Sequence, residues 1–202
     1  MQLFGMLDSP YVRRVAISLH VLGLEFEHEP LSVFRTYDAF AAINPVVKAP
    51  SLVTDDGVVL MESTLILDHV EQVAGASLMP PSGAAARLRA LRLVGLALAA
   101  CDKSVALVYE NLRPAERRDD AWTRRIRGQA LAALDLLERD VATAGGWLAG
   151  ERLLQPDIST AVAWRFAAHR TPDLADSARF PALAAFSDRL EREPAFLAAP
   201  ID

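Results

Sequence analysis

The first 75 residues hold seven short element-sized signals, and nothing after them reads as a strand. That change of texture constrains the fold more than any single motif. Gln2 to Met6 is a short apolar run suited to a strand, Ser9 to Leu22 carries a helical period, and Glu25 to Pro30 reads as a second strand. Phe34 to Ile43 fits a short helix ended by Asn44-Pro45. Ser51 to Thr54 and Val58 to Met61 flank Asp55-Asp56-Gly57, a hairpin signal, and a helix follows from Ser63 or Thr64 to Val73. The order is β-α-β-α-β-β-α. A helix between the first two strands makes that pair a parallel crossover, whereas the closing hairpin must be antiparallel.

Residues 76–84 contain Pro80-Pro81-Ser82-Gly83 and read as a linker. Residues 85–202 are almost entirely helical in pattern. Ala85 to Leu112 is one long segment, and Asp120 to Ala144 another, with Ile126, Ala130, Leu134, Leu137 and Val141 on one stripe. Asp157 to Ala168 and Pro181 to Arg192 supply two shorter helices, the last ended by Pro194. Stripes of this kind are buried against each other in a bundle. The expected organisation is therefore an α/β domain over 1–75, a linker over 76–84 and an all-α domain over 85–202.

Composition narrows the function classes. With 21 Lys and Arg against 26 Asp and Glu the net charge is −5, which argues against a general nucleic-acid binder. The basic cluster Arg124, Arg125 and Arg127 is flanked by acids and reads as a solvated helix face. A single cysteine, Cys101, excludes an intramolecular disulfide and sits in an apolar run too short to span a bilayer. A buried structural thiol in a reducing compartment is expected there. The N-terminus has neither a basic region nor a long apolar segment, so no signal peptide and no membrane association are expected and cytoplasm is the default. The four histidines show no metal-ligand spacing.

Ser9-Pro10-Tyr11-Val12-Arg13-Arg14-Val15 opens the first helix directly after the first strand. Serine suits a cap and proline the first helical position. Val12, Val15, Ala16, Leu19 and Leu22 recur at helical spacing, so the turn stands on a packed scaffold. A hydroxyl is thereby placed at a helix N-terminus, where backbone N–H groups and the macrodipole favour an anion. The same residues also read as an ordinary helix start. Glu62-Ser63 before the last helix of this half likewise reads as a turn plus a cap.

Three separated signals then carry a resemblance: Ser9-Pro10 after the first strand, Lys48-Ala49-Pro50 before the third, and Glu62-Ser63 after the fourth. In this order and frame the chain resembles the glutathione transferase family over essentially its whole length. It is most similar to bacterial transferases of the Ser-Pro-Phe-Val-Arg type, with Tyr11 in the phenylalanine place. The resemblance implies a thioredoxin-like N-terminal domain, a helical C-terminal domain, glutathione as co-substrate, no metal, and a homodimer. It implies that Ser9 stabilises the glutathione thiolate, that Pro50 is cis, and that the backbone of Ala49 pairs with the cysteinyl part. Glutathione carries two carboxylates, an ammonium and a thiol. Ser63 would meet the γ-glutamyl carboxylate, Glu62 the ammonium and Lys48 the glycyl carboxylate.

A small hydrophobic electrophile would meet Leu7, Tyr11, Phe34, Tyr109 and Arg113, with helix packing as the plainer reading of Tyr109. Asp8 would raise the thiol pKa if it pointed inward, and is expected to face outward or to pair with Arg13 or Arg35. One departure concerns the sixth helix. Related transferases carry serine or threonine three residues before its opening aspartate, whereas here Leu154 precedes Asp157. Conjugation to electrophiles is the reaction implied; a non-catalytic binding protein, or a glutathione-dependent isomerase, dehalogenase or peroxidase, are the alternatives on the same scaffold.

Overall fold

The computed structural model describes residues 1–80 and 84–201, and of Ala84 the backbone alone. Four strands, β1 (Gln2–Phe4), β2 (Glu27–Glu29), β3 (Ser51–Val53) and β4 (Val59–Met61), form one sheet in the order β2-β1-β3-β4. Strands β1 and β2 are parallel, and β3 is antiparallel to both β1 and β4. Helices α1 (Pro10–Leu22), α2 (Tyr37–Ile43) and α3 (Ser63–Ala74) complete the β-α-β-α-β-β-α order. The strands are shorter than the segments that signalled them, because only three residues of each take part in the ladder.

Helix α1 is buried on more sides than its apolar stripe indicates. Val12, Val15, Ala16 and Leu19 are inside, but so are Arg13, Arg14 and Ser18. Gly23 ends the helix in the left-handed conformation, with its N–H returned to His20. The start of the expected linker is tied back to α3. The Glu71 carboxylate accepts the Leu78 N–H at 3.0 Å and the Ser77 hydroxyl at 2.7 Å, and Leu78 is buried. Pro81, Ser82 and Gly83 of that linker lie outside the described residues.

The second half is helical: α4 (Ala84–Asn111), α5 (Asp120–Ala142), α6 (Gln155–Arg170) and α7 (Pro181–Leu190). The expected stripe of α5, from Ile126 to Val141, is buried, and Cys101 is buried and forms no disulfide. A 3₁₀ turn (Ala115–Arg117) and a short helix α8 (Pro194–Leu197) had no signal in the periodicity.

Helix α6 opens at Gln155, two residues before the aspartate that marked it. The missing hydroxyl at Leu154 is replaced from the other direction. The buried Asp157 carboxylate accepts the N–H groups of Leu148 at 2.8 Å and Leu154 at 3.0 Å, so loop and helix start share one acceptor. Burial pushes this carboxyl from 3.8 up to about 6, against the pull of those N–H groups and of the Arg189 charge.

The chain falls into two compact units, Met1–Leu78 with Arg192–Asp202, and Met79–Glu191. This departs from the expected division, which gave every residue after 85 to the helical domain. The reason lies in Arg13. Its Nε donates to the Ala199 carbonyl at 2.9 Å, its guanidinium lies over the Phe196 ring, and Phe196 is buried. The segment that carries α8 therefore packs with α1 in the first unit.

Candidate active site at one end of the sheet

Register brings the three motifs to one end of the sheet. Phe4 lies opposite Ser51, and Ser51 lies opposite Met61. The chain leaves β1 just after Phe4, enters β3 just before Ser51, and leaves β4 just after Met61. The segments toward Ser9, from Lys48 to Pro50, and at Glu62-Ser63 therefore emerge together. Gly5 sets how close they come. Its φ is +136°, and a Cβ there would lie 2.5 Å from Val12 Cγ2 and 3.2 Å from the Ala49 Cβ. No side chain fits, and the β1–α1 turn rests against Ala49.

Ser9 caps α1 with extended backbone, and its carbonyl accepts the Arg13 N–H at 2.9 Å. Its hydroxyl makes no cap hydrogen bond. The side chain is half-buried, at the N-terminus of a 13-residue helix with no acidic residue in its first turn. A hydroxyl so placed can donate to an anion.

The Ala49–Pro50 peptide bond is cis. Pro50 is buried, Ala49 half-buried and Lys48 exposed. The loop is held by Asn44, a buried residue that the sequence signalled only as a helix end. Its Nδ2 donates to Ser51 Oγ at 2.8 Å, its Oδ1 accepts the Val46 N–H at 3.0 Å, and Ser51 Oγ donates to the Lys48 carbonyl at 2.8 Å. Val47 has φ +51°, unusual for a β-branched residue.

At the third segment the cap is Glu62 rather than Ser63. Glu62 has φ +74°, and its Oε2 accepts the N–H groups of Thr64 at 3.0 Å and Leu65 at 3.4 Å. Ser63 is buried as the first residue of α3, where its Oγ accepts from Arg14 Nη1 at 3.1 Å and points toward Glu62 Oε1 at 3.5 Å. Arg14 belongs to the Ser9 motif, and the second of two consecutive arginines gave no sign that it would be buried beside Ser63.

The side chains expected to meet an electrophile belong to both units. In the first unit Leu7 is buried, Tyr11 half-buried and Phe34 60% exposed. In the second, Tyr109 is exposed on α4, and the exposed Arg113 pairs with the buried Glu110 at 3.2 Å. Asp8 is half-buried. Among the described residues no cluster of His, Cys, Asp or Glu is arranged to hold a metal ion, and no helix is long and apolar enough to cross a membrane.

This fold and site define a thioredoxin-like domain joined to a helical domain, and comparison with known proteins gives the class its name. The family model of the glutathione S-transferase N-terminal domain matches residues 3–78, and that of the C-terminal domain matches residues 120–189. The chain belongs to the glutathione transferase family. A glutathione S-transferase from Methylobacterium radiotolerans, solved in complex with glutathione sulfonate, superposes with a TM-score of 0.91 at 30% identity, covering 100% of this chain and 95% of that one. The uncharacterized GST-like protein YibF of Escherichia coli K12 is 31% identical over 138 residues, 68% of either chain. A maleylacetoacetate isomerase from Pseudomonas aeruginosa is 27% identical over 207 residues, covering 97% of this chain and 93% of that protein.

Proposed function

We propose that this protein is an enzyme that binds glutathione at the sheet end described above and transfers its thiolate to small hydrophobic electrophiles, with Ser9 stabilising the thiolate. The observation that supports this most directly is the Ser9 hydroxyl, half-buried at the start of α1 and not engaged in capping it. The reactive form in such a transfer is the thiolate, which adds to an electrophilic carbon. A free thiol has a pKa of about 8.5, so bringing it near 6.5–7 takes about 2–3 kcal/mol of preference for the anion. A hydrogen bond to a charged group contributes about 1.5–3 kcal/mol, and a helix N-terminus about 0.3–1 kcal/mol. Together they suffice without a general base.

Recognition of the rest of the tripeptide follows the same segments. Ala49 offers backbone beside the cis Pro50 for the cysteinyl part, Ser63 a hydroxyl for the γ-glutamyl carboxylate, Glu62 a carboxylate for the ammonium, and Lys48 an exposed charge for the glycyl carboxylate. That the Methylobacterium relative holds glutathione sulfonate supports this ligand class. Tyr11 and Phe34 on the first unit, and Tyr109 and Arg113 on the second, are the accessible candidates for contact with the electrophile; Leu7 lies in the core. A cytoplasmic homodimer belongs to the same proposal. Apolar side chains exposed on α3 (Leu65, Val73) and on α4 (Leu88, Leu91) support the dimer.

Similarity to maleylacetoacetate isomerase over 97% of the chain favours a second reading, glutathione-dependent isomerisation, which uses the same thiolate. One titration tests what both share. Ultraviolet thiolate absorbance of bound glutathione, followed against pH, should give a pKa well below that of the free tripeptide. Tight binding with an unshifted pKa would instead mark a non-catalytic binding protein, and no binding would remove glutathione from the account.

A further inference from the structure

The Ser9 motif contains two consecutive arginines, both inside the first unit, and the second reaches the other end of the proposed ligand site. Arg14 is 2% exposed and Ser63 1%. A guanidinium keeps its charge at any physiological pH, so a buried one is costly unless acceptors surround it. Here Nη1 donates to Ser63 Oγ at 3.1 Å and, less closely, to Thr64 Oγ1 at 3.4 Å. Two hydroxyls of the first turn of α3 thus face a cation carried by α1.

The direction of those bonds has a chemical consequence. A serine hydroxyl has one proton and two lone pairs. Once a lone pair of Ser63 Oγ accepts from Arg14, the proton points to another acceptor, and the donating cation makes it a stronger donor. The acceptor in place is Glu62 Oε1 at 3.5 Å, a long bond, while Glu62 Oε2 takes the N–H groups of Thr64 and Leu65. The protein's own carboxylate therefore sits over a cradle of one hydroxyl and two backbone donors, with a guanidinium behind it.

We propose that Arg14 is a positioning residue for the γ-glutamyl group: it fixes the Ser63 hydroxyl as an outward donor, and an incoming α-carboxylate takes the place Glu62 Oε1 now holds on it. Arg14 acts through Ser63 and touches no ligand atom. The inference rests on the glutathione reading above, and it requires Arg14 to matter only where the ligand carries that carboxylate.

The test uses two probes, glutathione and 4-aminobutyryl-cysteinylglycine, which lacks the α-carboxylate but keeps the amine, the thiol and the glycyl end. Isothermal titration on the natural chain and on Arg14→Met, Ser63→Ala and the double variant should show about tenfold weaker glutathione binding for Arg14→Met. The decarboxylated probe should bind natural chain and Arg14→Met alike. On the Ser63→Ala background, Arg14→Met should add little, and the bound-thiol pKa should not move. Arg14→Lys, which keeps the charge and loses the fork, carries the same comparison should Arg14→Met fail to fold; about threefold is expected for it. Equal losses for both probes, or fully additive losses in the double variant, would overturn the role of Arg14 while leaving the site in place. Failure of the natural chain to bind glutathione at all would overturn the glutathione reading itself.

Discussion

Two helices of the first unit begin at the same end of the sheet and treat their first turns in opposite ways. Helix α3 is closed by Glu62, whose carboxylate accepts two N–H groups of its own helix. Helix α1 begins at Ser9, whose hydroxyl accepts none. Both are caps by position, yet only one does the work of a cap. A side chain engaged by its own helix contributes to stability, whereas one left unengaged at a helix start is available to a ligand. The contrast separates Glu62, which closes its helix as well as facing the proposed ligand, from Ser9, whose hydroxyl has no capping role.

The sharpest way to break the contrast lies at a third helix start, where engagement and complete burial coincide. Replacing Asp157 by alanine strands two buried N–H groups, and about 3 kcal/mol of stability should disappear. For a chain of this size that lowers Tm by about 6–12 °C in calorimetry. A loss near zero would mean that engagement does not distinguish caps after all.

The same residue has a pH signature. Its folded-state pKa is raised, to about 6 from 3.8, so the folded protein holds this proton more tightly than the unfolded chain. The corresponding stability is complete below the unfolded value and is lost as pH rises through about 6, by about 3 kcal/mol. Denaturant titrations between pH 4 and pH 7 should show a downward slope in the natural chain that Asp157→Asn lacks; parallel profiles would contradict it.

A crossed pair of substitutions sharpens the original comparison. Ser9→Ala should raise the bound-thiol pKa by a unit or more, about 1.4 kcal/mol, while stability stays within about 0.5 kcal/mol. Glu62→Ala should do the reverse, costing about 1 kcal/mol of stability with the bound-thiol pKa unmoved. Interchanged outcomes would invert the assignment of roles.

The smallest effect concerns Val47, which with Glu62 forms the pair of positive-φ residues other than glycine among the described residues. Left-handed backbone costs an ordinary residue about 1–2 kcal/mol, and glycine gives back about 0.5–1 kcal/mol through its freedom in the unfolded chain. Val47→Gly should therefore raise Tm by about 2 °C. A drop would show that the Val47 side chain stabilises the loop before Lys48.

Much of this was legible beforehand, and the exceptions have physical causes. The strand and helix order of the first unit followed from apolar period and turn chemistry, and the parallel first pair and the antiparallel hairpin from topology rules, whereas the antiparallel pairing of β1 with β3 had no signal in the sequence. Arg13 and Arg14 were not legible as interior residues, because charge normally marks a solvated face and their acceptors lie 186 and 49 residues away. Glu62 displaced Ser63 as the cap because a carboxylate at positive φ reaches two N–H groups, a conformation no propensity announces. Asn44 looked like punctuation before Pro45, yet its amide holds the Lys48–Pro50 loop through Ser51. The return of α8 left no local trace, since Pro194 reads equally as an end and as a beginning.

That return makes the two units topologically unequal. Residues 79–191 are contiguous, so the helical unit has all its parts once Glu191 has left the ribosome, whereas α1 must wait for Phe196 and Ala199. The half that carries the proposed site is thus the last of the two to be completed during synthesis, and its Arg13 guanidinium spends that interval without the carbonyl and ring that later receive it.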